Sequence, residues 1–288
     1  MIDIKALLVQ PPLPLESATS YGNTTLHWAQ RLSPSLILAR NVAYGTHSSQ
    51  RYDVFGAADK QLQPALIFWH GGGWTHGYKE WCAFMAAPIA QLGMRLVTPD
   101  YRLAPEHKLQ AAHMDCLAAV AHFCVHAQEF GVDPSRIYLA GHSAGGHLAL
   151  LTALRRTDAK AAGIPENAIQ ACLPISGILD LHHPQPAPGS LEEMVYSAVL
   201  EQPFDDAPMS PLCWGAGNTL PVVLTYGEYD SSRVRLSNQR MAALLALQPS
   251  GVQLYCEQGL DHFATHTSLN NADAPWYQRL SELLQSPL

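Results

Sequence analysis

The sequence has 288 residues, of which 48% are hydrophobic and 14% are charged, which is ample for a buried core and too apolar for a disordered chain. The formal net charge is −7, so we expect no nucleic-acid partner. No apolar run is long enough to cross a bilayer, and the first residues lack the basic and apolar regions of a secretory signal. These features predict a cytoplasmic protein with no membrane partner.

The cysteines contain no Cys-x-x-Cys pair, and several stand in apolar surroundings. They are Cys82, Cys116, Cys124, Cys172, Cys213 and Cys256. Their scatter favours reduced thiols over a disulfide framework or a zinc site. The sequence leaves the oligomeric state open between a monomer and a homodimer.

Strand and helix patterns alternate through most of the chain after an irregular, proline-rich N-terminal arm at 1–35. Short runs of apolar residues or of residue types that favour strands predict strands at 40–44, 51–55, 65–69, 94–98, 136–140, 169–175, 221–226 and 251–256. Helical spacing predicts helices at 109–127, 144–155, 233–247 and 275–284. The pattern predicts one α/β domain over 1–288, with a mostly parallel central sheet and helices on both faces.

One stretch interrupts this alternation. Residues 178–215 hold six prolines around a short amphipathic segment at 191–200. We interpret them as a small cap insertion over the carboxyl edge of the sheet, where α/β proteins bind ligands.

The strongest chemical signal is the motif G-H-S-A-G at 141–145, which follows an apolar strand and opens a helix. Strand, sharp turn and helix are the context of a nucleophilic serine, here Ser143. The helix N-terminus would favour the negative charge that develops during attack. The competing interpretation, an ordinary tight turn with a chance serine, does not explain why all three features coincide.

A second glycine-rich motif, H-G-G-G-W at 70–74, also follows a buried strand. Glycines let backbone N–H groups approach a substrate oxygen, so we expect Gly71, Gly72 and Ala144 to form an oxyanion hole. A phosphate loop would end in Lys-Ser or Lys-Thr, which is absent here. A third motif, D-Y-R-L-A-P-E at 100–106, follows the next strand and is expected to support this loop.

A serine nucleophile needs a base and an acid that orients it, in the chain order Ser, acid, His. Asp230 and His262 each follow a late predicted strand and are the candidates. Glu228 is an alternative acid. His266 lies four residues beyond His262 and could pair with it on a metal, but no glutamate of the zinc-protease motif accompanies them. We therefore expect no metal and no cofactor.

Two further residues are candidates for the substrate pocket. Trp74 continues the glycine loop and is expected to bound the acyl side of the pocket. His142 is interpreted either as a pocket-wall residue or as a packing residue, since it directly precedes the predicted nucleophile.

These motifs resemble those of the α/β-hydrolase superfamily, and the first three are similar to the hormone-sensitive-lipase group of esterases. A longer set of matches, over roughly 40–285, resembles kynurenine formamidases (arylformamidases). That set comprises H-G-G-G-W at 70–74, G-Y-K-E at 77–80, G-H-S-A-G at 141–145, S-G at 176–177, L-D-L at 179–181, G-E-Y-D at 227–230 and D-H-F at 261–263. The formamidase resemblance implies a triad of Ser143, Asp230 and His262.

His142 and the Lys79-Glu80 pair favour the formamidase side, whereas Gly73 and the Y-R-L-A-P-E segment are esterase-like. The resemblance implies a serine hydrolase that cleaves a small-acyl amide or ester through an acyl-enzyme. Its substrate would be a small formamide of the N-formylkynurenine type or, alternatively, a short-chain carboxylic ester. A non-catalytic ligand-binding scaffold of the same fold is the remote alternative, since such proteins usually lose a triad member.

Overall fold

A computed structural model describes residues 2–57 and 61–285. Its strands are β1 (Ile37–Ala43), β2 (Arg51–Phe55), β3 (Gln63–Trp69), β4 (Arg95–Pro99), β5 (Val132–His142), β6 (Ile169–Ile175), β7 (Val223–Gly227) and β8 (Gln253–Glu257). Its α-helices are α1 (Glu16–Gln30), α2 (Ala86–Gln91), α3 (Leu109–His126), α4 (Ala144–Leu154), α5 (Arg156–Ala161), α6 (Leu191–Met194), α7 (Ser232–Leu245), α8 (Ala264–Thr267) and α9 (Pro275–Gln285). A 3-10 helix spans Lys79–Met85 between β3 and α2.

The strands form one sheet in the order β1-β2-β4-β3-β5-β6-β7-β8. Only the two pairings of β2, with β1 and with β4, are antiparallel among the described residues, and every later pairing is parallel. The central strands are apolar on both sides because helices cover both faces. On β3, for example, Ile67 packs into one core and Leu66 into the other, and both side chains are fully buried.

The predicted α/β class and mostly parallel sheet are confirmed. Each predicted strand has a counterpart in the structure, with ends that differ by a few residues, and 169–175 matches β6. The predicted helix at 109–127 corresponds to α3, after which Gly131 adopts φ +68 and leads into β5. Glycine tolerates this left-handed conformation, so the chain can reverse direction there.

The prediction of an irregular N-terminal arm is wrong in one respect, because residues 16–30 form the helix α1. No side chain caps its first turn, and glycine and β-branched residues within it weaken the helical signal in the sequence. Packing stabilises α1 instead: Tyr21 contacts Trp81 edge to face with ring centres 5.3 Å apart, and Trp28 contacts Phe84 at 5.1 Å. The arm is therefore joined to the 3-10 helix that follows the glycine loop.

The insertion at 178–215 contains α6, a π-type turn over Val195–Val199 and two 3-10 turns, Pro203–Asp206 and Pro211–Trp214. It lies beside the nucleophile helix α4, since the Nε2–H of His147 donates to the Met209 carbonyl at 2.7 Å. Whether this insertion acts as a cap stays a prediction. In the part of the chain that the structure describes, no helix is both long enough and apolar enough to cross a membrane.

Candidate active site

The nucleophile motif forms a sharp turn between β5 and α4. Ser143 adopts φ 55 and ψ −120, a conformation that non-glycine residues rarely occupy. Its amide donates to the Ile175 carbonyl at 2.8 Å, which fixes the turn against β6. The flanking glycines are required for space: a Cβ on Gly145 would lie 2.1 Å from a backbone oxygen at the end of β3, and one on Gly141 would lie 2.4 Å from the backbone of Gly145.

The structure brings the three predicted triad residues together. Ser143 Oγ lies 2.9 Å from His262 Nε2, and His262 Nδ1 lies 2.6 Å from Asp230 Oδ1. The Asp230 side chain is fully buried, whereas that of His262 is 29% exposed. The imidazole therefore bridges a buried carboxylate and a serine hydroxyl at the carboxyl edge of the sheet.

Charge at this site is controlled by hydrogen bonds to Asp230. Burial alone would raise the pKa of its carboxyl group, but the hydrogen bonds from His262, from the Ser176 hydroxyl and from the Gly227 amide lower that pKa below its ordinary value. The Ser176 bond measures 2.6 Å and the Gly227 bond 2.8 Å, both to Oδ2. Asp230 is therefore held as an anion beside the imidazole.

The alternative assignments fall elsewhere. The Glu228 carboxylate accepts from the Gly259 amide at 2.8 Å and does not reach His262. His266 is fully buried, with its Nδ1 2.8 Å from the Tyr21 hydroxyl, so it does not pair with His262 on a common ligand. Within the described ranges, no group of three His, Cys, Asp or Glu side chains is placed to hold a metal ion.

The predicted oxyanion loop lies next to the nucleophile. A Cβ on Gly71 would come within 3.1 Å of the Ser143 Cβ, so the backbone of Gly71 directly faces the serine. Gly72 adopts φ +118, and a Cβ there would lie 2.0 Å from the His76 carbonyl oxygen. In residues 2–57 and 61–285, no hydrogen-bond acceptor is found for the Gly71 and Gly72 amides. Both groups are therefore available to a ligand.

Two segments hold this loop from behind. From the third motif, Tyr101 stacks on His70 with ring centres 4.4 Å apart and donates to its carbonyl at 3.1 Å. From the N-terminal arm, the Gln10 side-chain amide pairs with the N–H and the C=O of Gly77, each at 2.8 Å. The support expected from the third motif is present, whereas the contribution of the arm was not predicted.

Trp74 and His142 offer almost no surface to a ligand, since they are 2% and 1% exposed. The Trp74 indole N–H donates to His147 Nδ1 at 3.3 Å, and its ring meets His147 edge to face. His142 Nε2 donates to the His262 carbonyl at 2.7 Å. The surroundings of His142 are those of a packing residue, which was its second interpretation. The Trp74 ring lies in the core, where it contacts His147.

Side chains of the insertion approach the glycine loop. A Cβ on Gly73 would lie 3.4 Å from the Met194 Cε and 3.9 Å from the Leu191 Cδ1. Leu191 is 42% exposed. These two side chains therefore lie over the glycine loop and are candidates for bounding a substrate.

Sequence reasoning missed two residues that touch the triad. The Ser176 hydroxyl binds Asp230, and the Thr265 hydroxyl donates to the His262 carbonyl at 2.7 Å. Ser176 stands in the matched S-G motif at 176–177, which was the only signal for it. Thr265 carries none, because its contact depends on the conformation of the loop after β8.

Known proteins match parts of this chain. A probable isoprenylcysteine alpha-carbonyl methylesterase of Oryza sativa subsp. japonica is 35% identical over 120 residues, covering 41% of this chain and 28% of that protein. Lipase 2 of Moraxella sp. (strain TA144) is 45% identical over 95 residues, covering 32% of this chain and 21% of that protein. The chain thus spans about a quarter of the length of these relatives.

A crystal structure of a Pyrobaculum calidifontis esterase superposes with a TM-score of 0.76 at 22% identity, covering 96% of this chain and 93% of that one. At this identity the likeness concerns the fold. The sequence model described as alpha/beta hydrolase fold matches residues 66–266, well over half of the chain and including all three triad positions. The protein belongs to the alpha/beta hydrolase fold family.

Proposed function

We propose that this protein is a serine hydrolase of carboxylic esters that works through an acyl-enzyme. The observation that carries the proposal is the continuous hydrogen-bonded chain Ser143–His262–Asp230, with bonds of 2.9 and 2.6 Å, at the carboxyl edge of the sheet. A serine hydroxyl becomes a useful nucleophile when an adjacent base can accept its proton. A buried anion on the far side of the imidazole selects the tautomer with a free Nε2 and stabilises the cation that forms.

In the proposed reaction, Ser143 Oγ attacks the acyl carbon while His262 Nε2 takes the serine proton. The tetrahedral oxyanion accepts hydrogen bonds from the Gly71 and Gly72 amides of the glycine loop and from the Ala144 amide at the start of α4, all held in place before the substrate arrives. The imidazolium then protonates the leaving alcohol, and an acyl-serine remains. A water molecule, deprotonated by the same imidazole, releases the acid and restores the serine.

An ester is favoured over a formamide for two reasons. The relatives named above are an esterase and a lipase by their names. In addition, the residues that favoured a formamidase do not face a substrate: Lys79 and Glu80 are 3% and 2% exposed and form ion pairs with each other and with Asp53 and Arg40. Lys79 and Glu80 therefore serve the packing next to the glycine loop, and their presence does not distinguish an amide from an ester leaving group.

Small acyl groups are expected to be preferred, because Leu191 and Met194 lie over Gly73. Each misfitting methylene changes transition-state binding by about 1–3 kcal/mol. Acetyl esters should therefore exceed octanoyl esters by at least about tenfold in kcat/KM. Met194→Ala should narrow that ratio; an unchanged ratio would place the acyl group elsewhere.

The test is a hydrolysis panel that pairs aryl esters with formanilides of matched aryl groups, together with fluorophosphonate labelling. We expect ester hydrolysis, labelling at Ser143, and a loss of about 10⁶-fold in kcat for Ser143→Ala. Faster turnover of the formanilides would return the assignment to a formamidase. A folded wild-type protein that neither labels nor hydrolyses any member of the panel would favour the non-catalytic scaffold.

A further inference from the structure

The conformation of Ser176, immediately after β6, is unusual for a residue that does not contact the nucleophile. Its φ is +50, although it is not a glycine, and it is fully buried. Left-handed backbone at a non-glycine residue is strained and persists where the surrounding structure enforces it. Here the Ser176 amide donates to the Thr225 carbonyl at 2.8 Å, which holds the backbone in this conformation.

The strained conformation places the Ser176 hydroxyl 2.6 Å from Asp230 Oδ2, on the carboxylate oxygen that His262 does not use. The preceding residue acts at the other end of the triad, since the Ile175 carbonyl accepts the Ser143 amide. Two consecutive residues at the end of β6 thus fix the backbone of the nucleophile and the side chain of the acid.

The number of available protons decides which of the Ser176 and Thr265 hydroxyls donates in each hydrogen bond. An ionised Asp230 can only accept, so Ser176 must donate its single proton to it. The Ser176–Thr265 contact of 2.9 Å can then be a hydrogen bond only when Thr265 donates. Thr265 has one proton for two acceptors, Ser176 Oγ and the His262 carbonyl, and that carbonyl also receives the N–H of His142.

We infer that Ser176 is a positioning residue of the triad, which holds the Asp230 carboxylate against His262 and limits its basicity. Given the catalytic role proposed above, its hydroxyl competes with the imidazole for the negative charge of the carboxylate. Without this bond, the carboxylate would rotate more freely and would attract the imidazole proton more strongly. Turnover would fall, and the imidazole would take up a proton at higher pH.

Neighbouring titratable groups would not mask the expected shift in the pH dependence of the rate. Among the described residues, His142 on β5 lies against His262 with ring centres 4.9 Å apart, and His266 on α8 stacks on the far side of His142 at 5.1 Å. Burial lowers the pKa of both, to about 3 for His266, so both are neutral where an esterase would be assayed. Neither changes charge in the range in which the acid limb of the rate profile would move.

The test is Ser176→Gly, which removes the hydroxyl and also relieves the backbone strain. We expect kcat to fall about 10- to 100-fold with KM little changed, because a hydrogen bond to a charged group is lost and no substrate contact is. The acid limb of kcat/KM should move to higher pH, and the downfield proton NMR signal of the Asp230–His262 bond should shift. The melting temperature should not fall. Ser176→Ala, which keeps the strain, should show the same activity loss.

A matched control is Ser237→Ala on α7, which also removes a buried serine hydroxyl. This hydroxyl accepts a hydrogen bond from the Leu179 amide at 3.1 Å. The substitution should lower the melting temperature and leave the pH profile unchanged. A purely structural role for Ser176 would give this same result in Ser176→Gly and would overturn the inference. A wild-type protein without esterase activity would instead remove the proposed function, and the NMR signal would still decide whether Ser176 orders the pair.

Discussion

Buried histidines should make this fold sensitive to acid. Burial lowers the pKa of His70 and His147 to about 4 and that of His113 and His266 to about 3, from an ordinary value of 6.5. All four side chains are at most 2% exposed. Since each pKa is lower in the folded than in the unfolded chain, the unfolded chain binds more protons between the two values, and the stability falls as the pH falls.

The magnitude follows from the size of the shifts. Each group contributes its full stability above about pH 6.5 and loses about 1.4 kcal/mol per pH unit below it, until its folded-state pKa is reached. At about pH 5 one histidine therefore costs about 2 kcal/mol, and the four together about 8 kcal/mol. The total stability of a domain is about 5–15 kcal/mol, so acid unfolding should begin near this pH.

The assay is urea unfolding followed by tryptophan fluorescence at several pH values between about 7.5 and 5. His266→Gln, which keeps a polar partner for the Tyr21 hydroxyl, should recover about 2 kcal/mol of the loss at about pH 5. His27→Gln is the matched control, because the His27 side chain lies on the exposed face of α1. Equal unfolding free energies at both ends of the range, or parallel curves for His266→Gln and the wild type, would refute the reasoning.

Three further predictions concern the packing that supports the site. Gly145→Ala forces a Cβ to 2.1 Å from a backbone oxygen, so it should abolish fluorophosphonate labelling and lower the melting temperature sharply. Gly217→Ala is the control: no atom lies within 4 Å of its Cβ, and it should lower the free energy of unfolding by only about 1 kcal/mol. Gln10→Ala removes both hydrogen bonds to Gly77 and should lower the stability by about 1–2 kcal/mol and also ester turnover; unaltered turnover would separate the N-terminal arm from the glycine loop. Leu139→Ala, in the centre of β5 and fully buried, should cost about 2–5 kcal/mol in urea unfolding, and a smaller loss would indicate that the sheet repacks around the cavity.

The elements that the sequence predicts well are those whose signals are local. The strand, G-x-S-x-G turn and helix around Ser143 lie within a short stretch of chain, and each residue type there answers to a steric need at its own position. The order of acid and histidine after the nucleophile places Asp230 and His262 on the loops after β7 and β8. Parallel strands bring the carboxyl ends together, so the triad could be predicted without any knowledge of packing.

Contacts between distant segments could not be predicted in this way. The helix α1 depends on aromatic contacts with the 3-10 helix after the glycine loop. No periodic pattern in either segment predicts these contacts. Trp74 was expected at the substrate because it follows the glycines in sequence. Its indole turns instead toward His147, one turn into α4. A position beside a motif fixes the backbone, whereas the direction of a large side chain is set by whatever cavity the rest of the fold provides.

The stack of histidines behind the triad links catalysis to stability. His142 lies between His262 and His266, parallel to the latter with ring centres 5.1 Å apart, and its N–H holds the His262 carbonyl. A neutral imidazole suits this place because it offers one donor and adds no charge next to a base that must become cationic during turnover. The same burial that keeps His142 and His266 neutral makes the fold lose stability in acid. Activity should therefore fall at low pH for two separable reasons, reversible protonation of the base and unfolding, and only the second should change the tryptophan fluorescence.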